Sequence, residues 1–333
     1  MAVKIAYVER FPGKLVSLEK AFREIASNLG SEFEWEFVQV PFSSKVYNFI
    51  RNLLFFKKPA ADIYHITGHI HYMGLRLPKD RTVLSIHDVR FVNMNRGLKR
   101  FILKKLFLDW PLRRLRYVTT ISNFVRDEIV ELTGCPSDKI RVLDMPLLSH
   151  FLPVEGKEFN EEKPLIVQIG TMVNKNLPNL ARALKGLNCK LVVIGEMDED
   201  QTAILKENQV DFENHVGVSD ERIREIYASA DIVSFCSTYE GFGLPIIEAQ
   251  MMGKALITSD LSPMKDIAGD GACLIDPYSV ESIREGIRKL ITDRSYRDNV
   301  VSLGKVNCQR FRSDIVANQY EALYIEMTTE PGH

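Results

Sequence analysis

The sequence has little cysteine, no long apolar run and almost no net charge, and each shortage excludes something. Its five cysteines in 333 residues, Cys135, Cys189, Cys236, Cys273 and Cys308, are odd in number and never spaced as Cys-x-x-Cys. That pattern argues against a disulfide framework or a cysteine zinc site and fits reduced thiols in the cytoplasm. No stretch reaches the ~20 apolar residues needed to span a bilayer. The first ten residues, Met1 to Arg10, hold one short apolar run broken by charge, which reads as a first strand and not as a signal peptide. The expected location is therefore cytoplasmic, with at most a peripheral hold on the cytoplasmic membrane face. Nineteen Gly and 14 Pro are too few for a collagen-like or low-complexity chain. A dinucleotide-binding Gly-x-Gly-x-x-Gly is also missing after the first strand, where Glu9–Leu15 contains one glycine, Gly13.

The net charge of −1, from 43 Lys+Arg against 44 Asp+Glu, is a balance of unequal halves. Residues 1–150 carry 24 basic and 15 acidic residues, a net of +9, and residues 151–333 carry 19 and 29, a net of −10. Length alone suggests two domains of roughly 150 residues each.

Short apolar runs recur, each followed by a segment with helical periodicity. They are Val3–Val8, Ile63–Ile66, Val83–Ile86 and Val118–Ile121, then Leu165–Ile169, Leu191–Ile194, Ile232–Phe235, Ala255–Thr258 and Cys273–Ile275. Runs of this length without polar alternation suit strands buried on both faces of a parallel sheet, so the expected class is α/β, with two doubly wound domains and a cleft between them. The boundary is expected within Pro146–Lys163, giving domains over 1–150 and 151–312. A last helix over 313–333 would start at the cap Ser313 and place Val316, Tyr320, Leu323, Tyr324 and Met327 on one apolar face, packing back on the first domain.

The strongest local signal follows the run Ile232–Phe235. In Ser237–Gly253, Pro245 fits the first turn of a helix and Gly253 its C′ position, so a helix of about two turns is expected between them. Gly241 and Gly243 let the backbone approach a ligand at the helix N-terminus, an arrangement suited to a phosphate or diphosphate. Glu240 and Glu248 flank that anion site. They make sense there as acceptors for ribose and sugar hydroxyls.

The segment Glu240-Gly-Phe-Gly-Leu-Pro-Ile-Ile-Glu248 resembles the Glu-x7-Glu motif of the retaining glycosyltransferases of family 4, which have the GT-B fold. The resemblance extends through Gly253–Ser259, Ala268–Pro277 and Ile169–Leu177, and in the first half through Ser85–Asp88 and Thr120–Asn123. It covers the second half almost throughout and the first half in islands. It implies that Glu248 binds the nucleotide ribose, that Glu240 contacts the donor sugar at the reacting centre, and that backbone N–H groups around Gly241, Phe242, Gly243 and Leu244 hold the diphosphate. It implies a leaving-group cation at Lys175, in a loop with Gly170, Thr171 and Asn174, and a histidine near the donor sugar at His87. The family often has an arginine where this chain has Thr171, which leaves Asn174 or a residue from elsewhere to share the diphosphate. No metal and no cofactor are implied. The donor would be a UDP- or GDP-sugar, and the acceptor a glycan or lipid-linked glycan of the cell surface. A catalytically silent partner subunit of the same fold is the alternative, against which Glu240 and Lys175 both stand.

Three further features call for a reading. His65, His69 and His71 form His-x3-His-x-His, with metal binding, acceptor contact or plain loop histidines as the options. Asp88 is placed either to orient His87 or to cap the next helix, and Ser122 reads as a cap. Residues 96–116 hold Arg96, Lys99, Arg100, Lys104, Lys105, Arg113, Arg114 and Arg116 against Asp109 alone, interleaved with Phe101, Ile102, Phe107 and Trp110. A basic, apolar helix of this kind suits an anionic membrane surface, and Arg51–Lys58 repeats the combination on a smaller scale. Nucleic acid fits poorly, because no reader motif is present and the acidic half would repel a phosphate backbone.

Overall fold

A computed structural model describes residues 2–11, 17–43, 48–151, 153 and 158–329. The Gly13 loop, Gly156 in the expected boundary segment and the Pro331-Gly332 pair lie outside the described residues. The chain forms two compact units, one made of residues 1–148 together with 311–333 and the other of residues 149–310.

In the first unit six strands, β1 (Val3–Glu9), β2 (Phe33–Gln39), β3 (Ile63–Ile66), β4 (Thr82–Ile86), β5 (Tyr117–Thr120) and β6 (Ile140–Val142), form one parallel sheet. Their order is β2-β1-β3-β4-β5-β6. Alternation along the strands divides the core in two. Ala6, Val8, Tyr64, Ile66, Leu84 and Ile86 face one layer. Ile5, Tyr7, Ile63, Val83 and Tyr117 face the other, which is closed by Phe22 and Ile25 of the helix Ser17–Ser27. The helix Ser313–Thr329 completes this second layer with Val316, Tyr320, Leu323, Tyr324 and Met327.

His65 belongs to this layer and not to a loop. Its Nδ1 lies 2.6 Å from the Tyr324 hydroxyl and its Nε2 2.7 Å from Ser85 Oγ, which meets Thr119 Oγ1 at 2.6 Å. The Tyr324 hydroxyl donates in turn to that of Tyr7. Burial pushes the imidazole pKa down to about 3, so the ring is neutral and serves as a polar tie between sheet and helix.

The expected single helix over the basic segment is instead broken. A helix over Gly97–Lys104 passes into a π turn over Lys105–Asp109 and a short helix over Trp110–Arg114. Pro111 has no N–H to give to the Phe107 carbonyl, which meets His71 Nδ1 at 3.0 Å instead, and the buried Asp109 takes the ammonium groups of Lys104 and Lys105, each at 2.8 Å. Phe107 and Leu108 turn inward beside it.

In the second unit β7 (Leu165–Ile169), β8 (Lys190–Ile194), β9 (Asp211–His215), β10 (Ile232–Phe235), β11 (Ala255–Ser259) and β12 (Cys273–Ile275) form another parallel sheet. The order is β12-β11-β10-β7-β8-β9. The chain runs outward from β7 to β9 and then crosses back to start again at β10. The loops after β7 and β10 therefore leave the sheet side by side at the point where the order reverses, the place where such sheets bind ligands.

Candidate functional site

The loop after β7 is held rigid by its own side chains. Asn176 adopts a left-handed conformation (φ 62°) and donates to the carbonyls of Cys236 at 3.0 Å and Pro277 at 2.7 Å. Gln168 donates to the Lys175 carbonyl at 2.9 Å. Gly170, at φ 83°, leaves room for the Lys175 side chain, since a Cβ there would stand 3.1 Å from Lys175 Cε. Lys175 thereby runs across its own loop towards the loop after β10.

There its Nζ meets Glu240 Oε1 at 2.7 Å and lies 4.6 Å from the centre of the Phe235 ring. Both partners of the ion pair are mostly sheltered, with side chains 12% and 15% exposed. Asn174, itself buried, donates from Nδ2 to the same Glu240 oxygen at 3.1 Å and to the Tyr239 carbonyl at 2.9 Å. Its amide is thus a brace for Glu240. Thr171, at the place of the family's arginine, donates its hydroxyl to the Glu196 carbonyl at 2.5 Å.

The helix expected after this loop spans Leu244–Met251, with Pro245 in its first turn and Gly253 left-handed beyond its end. Its N-cap is Gly243 at φ 117°, where a Cβ would stand 2.9 Å from Ile246 Cδ1. The positive end of the helix dipole thus opens beside the Lys175–Glu240 pair. Glu248 sits one turn on. Its Oε2 accepts from the Tyr227 hydroxyl at 2.6 Å. Burial raises the Glu248 pKa to about 7, while the Tyr227 hydrogen bond and the Lys175 charge hold it down and Asp220 adds to the rise.

The second unit thus gathers Lys175, Asn174, Glu240 and Glu248 around one helix end. Tyr227 joins them although nothing in the motif points to it: it lies on another helix, Asp220–Ser229, 21 residues before Glu248.

His87 stands in the first unit, at the carboxyl end of β4. It is buried, and neither ring nitrogen has a hydrogen-bond partner. Burial first, then His69 and His71, push its pKa well below the usual value, so the ring is neutral. Asp88 turns away from this ring: its Oδ1 accepts from the Arg90 N–H at 3.0 Å, one residue past the N-cap Val89, and its Oδ2 faces His69 at 3.4 Å. Ser122 accepts from the Val125 N–H at 3.2 Å as the cap of the helix Asn123–Thr133. Among the described residues no group of three or more His, Cys, Asp or Glu is close enough to hold a metal, and the three histidines of the His-x3-His-x-His run do not converge. No helix there is long and apolar enough to cross a membrane.

Residues 154–306 match the family described as glycosyl transferases group 1, which covers most of the second unit. The chain is 28% identical over 273 residues to the O-antigen chain mannosyltransferase B of Escherichia coli, spanning 75% of this chain and 70% of that protein. Among solved structures, a glycosyltransferase from Rickettsia africae superposes with a TM-score of 0.74 at 19% identity, covering 99% of this chain and all of the other. WaaG, a glycosyltransferase involved in lipopolysaccharide biosynthesis, superposes with a TM-score of 0.72 at 17% identity, covering 97% of this chain and 99% of the other. The fold is GT-B, with two six-stranded parallel α/β sheets, and the sequence matches support a glycosyltransferase of group 1.

Proposed function

We propose that this group 1 glycosyltransferase is a retaining enzyme of family 4 that moves a hexose-type sugar from a UDP- or GDP-sugar to a glycan or lipid-linked acceptor in cell-surface polysaccharide synthesis. The observation that carries the reading is the Lys175–Glu240 pair at 2.7 Å, set beside the N-terminus of the helix that bears Glu248. Breaking the bond between sugar and diphosphate builds negative charge on the leaving group and oxocarbenium character on the sugar. The ammonium of Lys175 and the helix end stabilise the first. Glu240 serves the donor sugar and Glu248 the ribose. Since the uncharged Thr171 stands where the resembled family often has an arginine, Lys175 is the diphosphate's main cation. The chemistry needs no metal. The mannosyltransferase name of the Escherichia coli relative favours mannose among the hexoses.

The test is thermal unfolding against a panel of UDP-, GDP- and ADP-sugars. One UDP- or GDP-sugar is expected to raise the melting temperature of the wild type, because a ligand that binds only the folded state stabilises it. Glu248→Ala should abolish that shift. A panel without any shift would overturn the reading.

A second proposal concerns location. The helix Gly97–Lys104 exposes Leu98, Phe101 and Ile102 on one face, flanked by Arg96, Lys99 and Arg100. The helix Asn48–Phe55 likewise exposes Ile50, Leu54 and Phe55 beside Arg51, Lys57 and Lys58. Apolar residues ringed by cations fit the surface of an anionic membrane, which would hold the enzyme peripherally on the cytoplasmic face.

A further inference from the structure

Two oxygens of one carboxylate have different surroundings at the expected ribose subsite. Glu248 Oε2 accepts from the Tyr227 hydroxyl at 2.6 Å, whereas Oε1 makes no hydrogen bond among the described residues. Tyr227 is fully buried on the helix Asp220–Ser229, where the Phe151 ring packs edge-on against it at 5.5 Å. A phenol so enclosed has one orientation to offer. It fixes the carboxylate in a single rotamer and leaves the second oxygen for a ligand. We propose that Tyr227 is a positioning residue of the nucleotide subsite, which holds Glu248 by Oε2 so that Oε1 meets the ribose hydroxyls of a nucleoside diphosphate. This rests on the reading of Glu248 as the ribose ligand and adds the group that makes it competent.

The charges around Glu248 give the role a measurable signature. Burial lifts its pKa to about 7. Tyr227 on one helix and Lys175 on the loop after β7 oppose the rise, and Asp220, at the start of the Tyr227 helix, adds to it. Burial and the neighbouring carboxylate raise the Tyr227 pKa well above 10, so the phenol remains a donor throughout the working range. Two ribose hydroxyls need an ionised acceptor. Diphosphate affinity should therefore rise with pH through about 7 and level off above it. Losing the phenol removes a hydrogen bond that favours the ionised form, which moves the rise to higher pH.

The experiment is a titration of the full chain with UDP and GDP between pH 6 and 9, for the wild type, Tyr227→Phe and Glu248→Gln, with inorganic pyrophosphate as the ribose-free probe. For a displacement of about one pH unit, Tyr227→Phe should weaken binding of the preferred diphosphate roughly fivefold at pH 7 and nearly tenfold at pH 6. By pH 9 the two proteins should converge. Glu248→Gln should bind weakly with a flat profile, and pyrophosphate should show no difference between wild type and Tyr227→Phe. In turnover, the loss should appear in KM for the donor with kcat little changed, because Lys175 and Glu240 are untouched. Matching thermal unfolding of the wild type and Tyr227→Phe without ligand would show that packing is intact. If neither diphosphate binds the wild type at any pH, the nucleotide reading falls and takes this role with it. If the wild type binds one of them but Tyr227→Phe keeps the wild-type profile, or loses affinity equally at every pH, the positioning role alone is overturned.

Discussion

At the scale of single residues the second unit sets one cation against two carboxylates in different surroundings. Lys175 is bonded to Glu240 and acts on Glu248 only through its field, so the two glutamates are unequal before any ligand arrives. Replacing Lys175 by Ala should lower kcat by about two to three orders of magnitude, the usual loss when a group aimed at developing charge is removed. Glu240→Gln keeps the shape and should leave most nucleotide binding in place while turnover falls. Single-turnover rates and nucleotide titrations on the two variants separate these effects, and wild-type rates in either would contradict the assignment. Lys175, Glu240 and Glu248 were legible in the sequence because the last two sit in one continuous motif and the first in a neighbouring short one. Tyr227 was not legible. A buried tyrosine on a helix reads as core, and only the fold brings it to a carboxylate 21 residues further on. For His65 the sequence left metal binding, acceptor contact and a plain loop histidine open, whereas its strand carries it into a buried chain with Ser85 and Tyr324.

At the scale of elements, what the sequence revealed and what it hid follow burial. The interior strands were visible as unbroken apolar runs because both their faces are covered. Three strands were missed, β2, β6 and β9, and all three are sheet edges. Charged residues such as Glu34, Glu36, Arg141, Asp211 and Glu213 interrupt their apolar pattern. The turn into the helix Leu244–Met251 shows the converse, a backbone demand that the sequence states openly. Gly243 has φ 117°, and a Cβ there would press on Ile246 and Phe235. Gly243→Ala should therefore destabilise the unit by about 1–3 kcal/mol and also displace the N-terminus of this helix. Chemical denaturation measures the first effect and donor KM the second. Unchanged values of both would mean that the turn relaxes at no cost.

At the scale of the whole molecule the charge division changes when it is counted by structure. Because residues 311–333 belong to the first unit, that unit carries a net +6 and the second −7, against +9 and −10 for the halves of the sequence. The sign survives, and the basic excess of the first unit lies largely where apolar side chains are exposed. Flotation with liposomes containing anionic lipid should bring the protein up at low salt, with release as salt screens the contact. Leu98→Glu combined with Phe101→Glu should abolish flotation and leave nucleotide binding unaltered. Absence of the wild type from the floated fraction at low salt would remove the membrane proposal.

The helix Ser313–Thr329 also gives the molecule an order in time. As the chain leaves the ribosome, the strands of the first unit emerge before those of the second, yet one layer of their core lacks Tyr320, Leu323 and Tyr324 until this helix is out. The hydroxyl that partners His65 arrives with that segment, 259 residues after the histidine itself. The second unit, drawn from a continuous stretch, has all its strands in hand earlier. Of the two units, the one whose strands are made earlier is thus the one whose core closes later.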